Sequence, residues 1–267
     1  MIKQIICINW GTKYGPRFIN RLYGMVERNV TPPFTFTCFT DSRGGIRAEV
    51  ICEDLPAIDF EMPVVKKGKW PKSRLWGPRL GNLKGPVLFL DLDILVVGSL
   101  DPFFTIGKPD DVILARNPIK PLERLGQTSV FRFPVGKLVP LLELFRSDPQ
   151  RIAETYEFEQ RFVTRNAPGG VSFFPSPWVR HFRYHCLPLF PLNYFRAARL
   201  PKDARIVIFP GGLHPEHAIA GGWRHRPSEG PLAHVKGILD RRNGEKPLAY
   251  LRHFMKPVDW VEQYWRE

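Results

Sequence analysis

The sequence predicts an α/β fold around a Rossmann-like sheet. Three observations predict it: an opening that reads strand, helix, strand, turn, strand; one long apolar run between residues 87 and 97; and a composition able to fill a large core. Lys3 to Asn9 is short and isoleucine-rich, the pattern of a buried strand. Gly11 and Gly15 bracket a loop, and Pro16 can open a helix at its first position. From there Phe18, Ile19, Leu22, Tyr23 and Val26 recur every three or four residues and give one apolar face. Thr31-Pro32-Pro33 ends that helix. Phe34 to Thr40 alternates aromatic or apolar residues with threonine, a strand pattern, and a further short strand, Glu49 to Cys52, follows the Gly44-Gly45 turn.

Gly85-Pro86 introduces Val87 to Val97, which ends at Gly98 and reads as a single buried strand carrying Asp91 and Asp93. Asp111 to Ala115 and Gln127 to Phe133 are further strands. Lys137 to Arg146 is a helix with Leu138, Leu141, Leu142 and Phe145 inward, and Ile152 to Thr164 is a second helical stretch. Beyond Pro168 the chain is rich in proline, glycine and aromatics, with one clear strand at Arg205 to Phe209. No repeat, low-complexity tract or linker divides the chain, so residues 1–267 are expected to form one domain.

Of the 267 residues, 43% are apolar and 24% charged, an ordinary globular balance. A chain of this size buries roughly three quarters of its unfolded surface and needs no staple. Cys7, Cys38, Cys52 and Cys186 are scattered, without a C-x-x-C pair or a Cys/His cluster, which argues against structural zinc and against a secreted disulfide framework. A reducing cytoplasm is the expected compartment. The apolar stretch at the N-terminus is too short for a signal-peptide core, and no segment approaches the ~20 apolar residues of a membrane helix. The formal charge of +13 fits either a basic solvated surface or an anionic partner.

In a strand, Asp91 and Asp93 would project from one face. Two ionised carboxylates side by side at the end of a hydrophobic strand repel and lose water, and a divalent cation resolves that cost. Hard oxygen ligands select Mg²⁺ or Mn²⁺ and leave coordination positions for phosphate oxygens.

The stretch Val87 to Ile94, continued by Gly98-Ser99-Leu100-Asp101-Pro102-Phe103-Phe104, resembles the D-x-D segment of GT-A glycosyltransferases. It looks most like family 8, the glycogenin and lipopolysaccharide-galactosyltransferase group, and its small bacterial relatives. Trp10-Gly11-Thr12-Lys13-Tyr14-Gly15, with Asn20-Arg21-Leu22-Tyr23 after it, is similar to that group's opening. Phe39-Thr40-Asp41 resembles its second strand end, and Trp70-Pro71-Lys72 a basic segment ahead of the D-x-D. Ala204 to Phe209, followed by Gly211 and Pro215, resembles its last strand and phosphate loop.

The resemblance implies a GT-A fold, a Rossmann-like mixed sheet flanked by helices, with 1–115 as the nucleotide-binding half and 116–267 as the acceptor half. It implies a nucleotide-diphosphate sugar donor such as a UDP-sugar, Mn²⁺ or Mg²⁺ on Asp91 and Asp93, and transfer with retention. By position Asn9 and Tyr14 would meet the donor's base and ribose, with Asp41 beside them, and Lys72 or Arg74 its phosphates or sugar. Glu159-Gln160 stands where the family usually carries Asp-Gln, beside the transferred sugar. For inversion, Glu159 or Glu157 would be the base.

The chain departs from the family in its last loop. Where the family reads Phe-His-Gly, this chain has Phe209-Pro210-Gly211-Gly212-Leu213-His214, and proline cannot ligate a metal. His214 stands at the usual lysine position and is either a metal or diphosphate group, with His217 as substitute, or an ordinary loop histidine. Arg224, Arg226, Lys236, Arg241, Arg242, Lys246, Arg252 and Lys256, interleaved with Trp223, Tyr250, Trp260 and Trp265, are either a soluble basic surface or a dock for an anionic acceptor, including a lipid-linked glycan at an anionic membrane face. A sugar nucleotidyltransferase, a nucleic-acid-binding protein and an inactive nucleotide-sugar binder are the rival functions. The first would carry a Gly-rich basic loop directly after the first strand, of which Trp10-Gly11-Thr12-Lys13-Tyr14-Gly15 is a poor version. No nucleic-acid motif is present, and no nucleic-acid partner is expected.

Overall fold

A computed structural model describes residues 2–65, 69–120, 122–209, 211–224, 226, 228–238 and 246–267. Pro210, Arg241 and Arg242 lie outside the described residues. The chain divides into two compact units, one made of 1–92 with 99–176, the other of 93–98 with 177–267. Each of the expected halves, 1–115 and 116–267, contributes to both.

The first unit is built on a seven-stranded sheet. Its strands are β1 (Lys3–Asn9), β2 (Phe34–Thr40), β3 (Ile51–Glu53) and β4 (Pro86–Leu90), joined by three later strands of the chain. The order β3-β2-β1-β4 is parallel throughout, with Cys7 opposite Cys38 and Ile6 opposite Phe89. Its central strands β1 and β4 carry apolar runs, as expected of parallel strands whose faces are covered by helices. One of these is α1 (Pro16–Glu27), which starts on proline and buries Ile19, Leu22, Tyr23 and Val26.

The apolar run 87–97 is not one strand. It stops at Leu90, turns through Leu92 and Asp93, and resumes as β5 (Ile94–Val96) in a different sheet. The alternation that would put Asp91 and Asp93 on one strand face therefore does not apply, because neither lies in a strand. Apolar content could not reveal this break, since β4 after Pro86 and all of β5 are buried, each in its own sheet.

After α2 (Pro102–Thr105), the first unit continues with β6 (Ile113–Arg116) and β7 (Gly126–Pro134). Strand β7 runs antiparallel to β4 and to β6, which makes the sheet mixed. Helices α3 (Val139–Ser147), α4 (Pro149–Tyr156) and α5 (Glu159–Asn166) follow, and β8 (Ser172–Phe173) closes the edge beside β6. The helical stretch expected at 152–164 is two helices. Glu157 takes φ 59° between them, a left-handed turn that nothing in the composition marks. The short strand expected at Glu49 to Cys52 begins two residues later, at Ile51.

The core of this unit carries a stack of large aromatics. Trp70 lies parallel to Phe145 at 4.8 Å and Trp76 stacks on Phe162 at 5.7 Å. Both tryptophans belong to a 3₁₀ helix, Trp70–Trp76, whose three-residue period buries Trp70, Ser73 and Trp76 on one side.

The second unit holds a three-stranded sheet of β5, β9 (Val179–His181) and β10 (Ile206–Ile208) in the order β5-β10-β9. Strand β10 is antiparallel to β5, with Ile208 opposite Ile94, and parallel to β9, with Ile208 opposite His181. Helices α6 (Pro215–Ala220), α7 (Pro231–Lys236), α8 (Pro247–Leu251) and α9 (Asp259–Tyr264) complete it. All four are short. Among the described residues no helix is long and apolar enough to cross a membrane.

Candidate active site

In an open sheet with parallel strands, ligands meet the carboxyl ends of the strands. Here β1, β2 and β4 end on Asn9, Thr40 and Leu90, and of the expected residues Asn9, Tyr14, Asp41 and Asp91 lie at or just beyond those ends in the chain. Asn9 is buried, and its side-chain amide donates to the Tyr14 carbonyl at 3.2 Å. The Gly11 amide donates to Asp41 Oδ2 at 2.8 Å, tying the loop after β1 to the end of β2. Tyr14 packs its ring 4.9 Å from Phe18 and carries Lys13 4.1 Å above its face.

Beyond β4, Asp91 borders a cleft of ≈ 250 Å³ lined by Lys69, Lys72, Asp91, Gln127, Thr128, Ser129, Phe158, Glu159 and Gln160. The 3₁₀ helix aims Lys72 into it, since the buried tryptophans on either side fix the backbone. Lys72 Nζ sits 2.6 Å from Asp91 Oδ1 and 3.4 Å from the Thr128 carbonyl, over the Phe89 ring at 4.9 Å. Arg74, two residues on, turns the other way and donates to the Pro56 carbonyl at 2.8 Å. Of the two expected basic residues, Lys72 therefore faces the cleft.

Glu159 opens α5 and is 4% exposed. Thr128 Oγ1 donates to its Oε2 at 2.6 Å. Burial raises its carboxyl to about 7, opposed by Lys72 and by the Thr128 hydrogen bond and assisted by the Asp91 charge. A carboxyl poised near neutrality in a cleft is a functional signature with a stated cause. Thr128 is the residue that sequence reading missed. Its signal was present: in β7, Gly126, Thr128 and Val130 alternate inward with Gln127 and Ser129, so a hydroxyl sits in the buried register.

In the second unit Asp93 precedes β5 and the loop 211–214 follows β10. The Ile94–Ile208 register brings them together, and His214 Nδ1 lies 3.5 Å from Asp93 Oδ2. The His214 amide donates to His217 Nδ1 at 2.9 Å as α6 begins. Gly211 and Gly212 both have positive φ, 67° and 83°. The positive φ of Gly211 is what favours glycine there; a Cβ would stand 3.1 Å from the Arg224 guanidinium, whose flexible side chain could yield. Carboxylate oxygen suits Mn²⁺ or Mg²⁺, and an imidazole nitrogen beside it is a softer donor that favours Mn²⁺ of the two; Asp93 with His214 offers one of each. Among the described residues no group of three His, Cys, Asp or Glu side chains is arranged to hold an ion.

No family model and no curated protein matches the chain. Solved structures do. The galactosyltransferase LgtC, in complex with donor and acceptor sugar analogues, is similar over 97% of this chain and 99% of its own, at 13% identity and TM-score 0.55. The glycosyltransferase GlyE of Streptococcus pneumoniae TIGR4 is similar over 99% of this chain and 65% of its own, at 14% identity and TM-score 0.56. The bifunctional glycosyltransferase WbbM covers 96% of this chain with 52% of its own, at 11% identity and TM-score 0.55. With a mixed seven-stranded sheet flanked by helices and these structural neighbours, the chain has the GT-A glycosyltransferase fold.

Proposed function

We propose that this protein is a glycosyltransferase that moves a sugar from a nucleotide-diphosphate donor, a UDP-sugar in the first instance, to a glycan or lipid-linked acceptor. The observation that carries the proposal is the cleft at the carboxyl end of β4, where Lys72, Asp91, Thr128, Glu159 and Gln160 converge. Its volume falls below the roughly 300–1,000 Å³ of pockets that enclose a whole drug-sized ligand. It suits the sugar, while the base and ribose lie against Asn9, Tyr14 and Asp41.

Each side chain then has a task. Lys72 neutralises charge at the sugar's phosphate linkage, where electrostatic preorganisation supplies most of the rate. Gln160 and the neutral form of Glu159 hydrogen-bond sugar hydroxyls and fix the anomeric carbon beneath the acceptor. Retention needs no strong protein base, which fits a Glu159 held by Thr128. Gly211 and His214 serve the diphosphate. Asp93 with His214 would hold Mn²⁺ or Mg²⁺, while Asp91, the other acid the resemblance assigns to the metal, lines the sugar cleft. When bound, that ion supplies Lewis-acid stabilisation of the leaving nucleotide. Work in the cytoplasm, with peripheral contact to an anionic membrane face, fits the four free cysteines and the charge of +13.

The test is a donor screen. UDP-, GDP- and dTDP-sugars are mixed with the protein and Mn²⁺, and sugar release and thermal stabilisation are followed. A UDP-sugar is expected to stabilise the protein and release sugar slowly to water. Silence across all donors, with and without metal, overturns the proposal. A second reading, a nucleotide-sugar binder without turnover, is favoured by the 2.6 Å Lys72–Asp91 ion pair, which engages one of the two carboxylates. Stabilisation by donors without sugar release, even when acceptors are supplied, selects it.

A further inference from the structure

Residues 187–198 form a surface loop whose burial is inside out. Leu189 is 79% exposed, Phe190 38%, Leu192 46% and Phe195 73%, while the polar Asn193 between them is wholly buried. The loop is closed at its base, where the Arg199 amide donates to the Cys186 carbonyl at 2.9 Å and Trp260 Nε1 to the Ala198 carbonyl at 3.0 Å. This is the construction of a compact Ω-loop, ends together and tip outward.

The exposure is held by structure and is not fraying. Asn193 Nδ2 donates to the carbonyls of Leu251 and Phe254, both at 3.0 Å. Tyr194 stacks on Phe254 at 4.3 Å, and its hydroxyl lies 2.7 Å from His234 Nδ1. A single 3₁₀ turn, Leu192–Tyr194, thus turns its polar and aromatic members inward and leaves Leu192 and Phe195 in water. Contiguous exposed apolar side chains on a rigid support mark an interaction surface.

Charge names the partner. Between residues 177 and 202 the sequence has no Asp or Glu, against Arg180, Arg183, Arg196, Arg199 and Lys202. Arg196 and Arg199 are exposed and flank the apolar tip, and Lys256 Nζ donates to the Phe195 carbonyl at 3.1 Å. Apolar side chains ringed by cations fit a surface with an anionic headgroup layer over hydrocarbon, where long basic side chains meet phosphate as apolar ones enter the acyl boundary.

We propose that the 187–198 loop is a membrane-docking element that inserts Leu189, Phe190, Leu192 and Phe195 into an anionic phospholipid surface. It locates the membrane contact named above, and it stands without the glycosyl-transfer reading because its test contains no donor. The test is co-sedimentation of the full chain with phosphatidylcholine vesicles, with and without about a third of an anionic phospholipid. Partner variants are Leu189→Ser with Phe195→Ser, and Arg196→Gln with Arg199→Gln. These change solvent-facing atoms, and an unchanged thermal midpoint confirms folding. The expected result is binding to anionic vesicles only, weakened about tenfold or more by the serine pair and made less dependent on anionic lipid by the glutamine pair. Equal binding by wild type and the serine pair, or no vesicle binding at all, overturns the proposal. So does a wild-type dimer in light scattering that the serine pair converts to monomer, which would assign the patch to a second copy of the chain.

Discussion

Glu159 holds its proton because it has been taken out of water, and that has a price in alkali. Its carboxyl titrates near 4.5 when exposed and about 7 when folded. The folded state therefore binds more protons than the unfolded one between those values. The stabilisation is complete below pH 4.5 and is lost as pH rises through 7, on the order of 3 kcal/mol in all. Glu159→Gln keeps an acceptor for Thr128 and cannot ionise. Relative to the wild type, its urea midpoint is expected to gain steadily from pH 5 to 8, whatever the histidines contribute to both curves, and parallel curves would contradict this assignment. Thr128→Val removes the hydroxyl and leaves a buried carboxyl without its 2.6 Å partner. Such losses cost about 1–3 kcal/mol, read as a lower urea midpoint above pH 7, where the carboxyl is charged. Thr128 stands in a strand readable from sequence, yet its partner is 31 positions away, and spacing does not reveal a pairing made by tertiary packing.

At the scale of elements, the second unit buries histidines in their neutral form. His181, at the end of β9, is 1% exposed, and neither ring nitrogen has a hydrogen-bond partner among the described residues. Burial, then the charges of His185 and Arg183, lowers it to about 3 from 6.5. A depressed base contributes stability that is full above pH 6.5 and drains away as pH falls toward 3. His181→Phe removes that proton uptake without breaking a side-chain hydrogen bond. Between pH 7 and 5 the variant is expected to lose about 2 kcal/mol less than the wild type, measured by urea unfolding. An acid limb unchanged in the variant would place the sensitivity elsewhere, with His234, lowered to about 4 by burial, as the next candidate.

The elements legible in the sequence were those whose own pattern decides them. The bounds of β1 and β2 match their apolar runs, and α1 begins on Pro16 as its missing amide allows. Those misread were decided elsewhere. The break at Asp91 exists because β5 pairs with β10, more than a hundred residues later, and the kink at Glu157 has no glycine or proline to announce it.

For the whole molecule, the order of motifs along the chain carries the fold, and tertiary packing assembles the site. Asp91 was singled out as a charge at the end of an apolar run; the cleft adds that Lys72 meets it at 2.6 Å and that Glu159 shares the space. The basic excess was legible as charge, while the Ω-loop that would give it a direction was hidden, since Leu189 and Phe195 look like core residues in sequence. In the function proposed above, the cleft beside Asp91 receives a sugar whose nucleotide departs with metal assistance. The direct measurement is the rate of sugar release from a UDP-sugar with Mn²⁺, for wild type and for Asp91→Asn and Asp93→Asn with unchanged thermal midpoints. Metal-dependent release is expected in the wild type, with a drop of ~100-fold or more in each variant, in line with the loss of one preorganised electrostatic contact. Release that persists in both variants, or that ignores Mn²⁺ altogether, would contradict it.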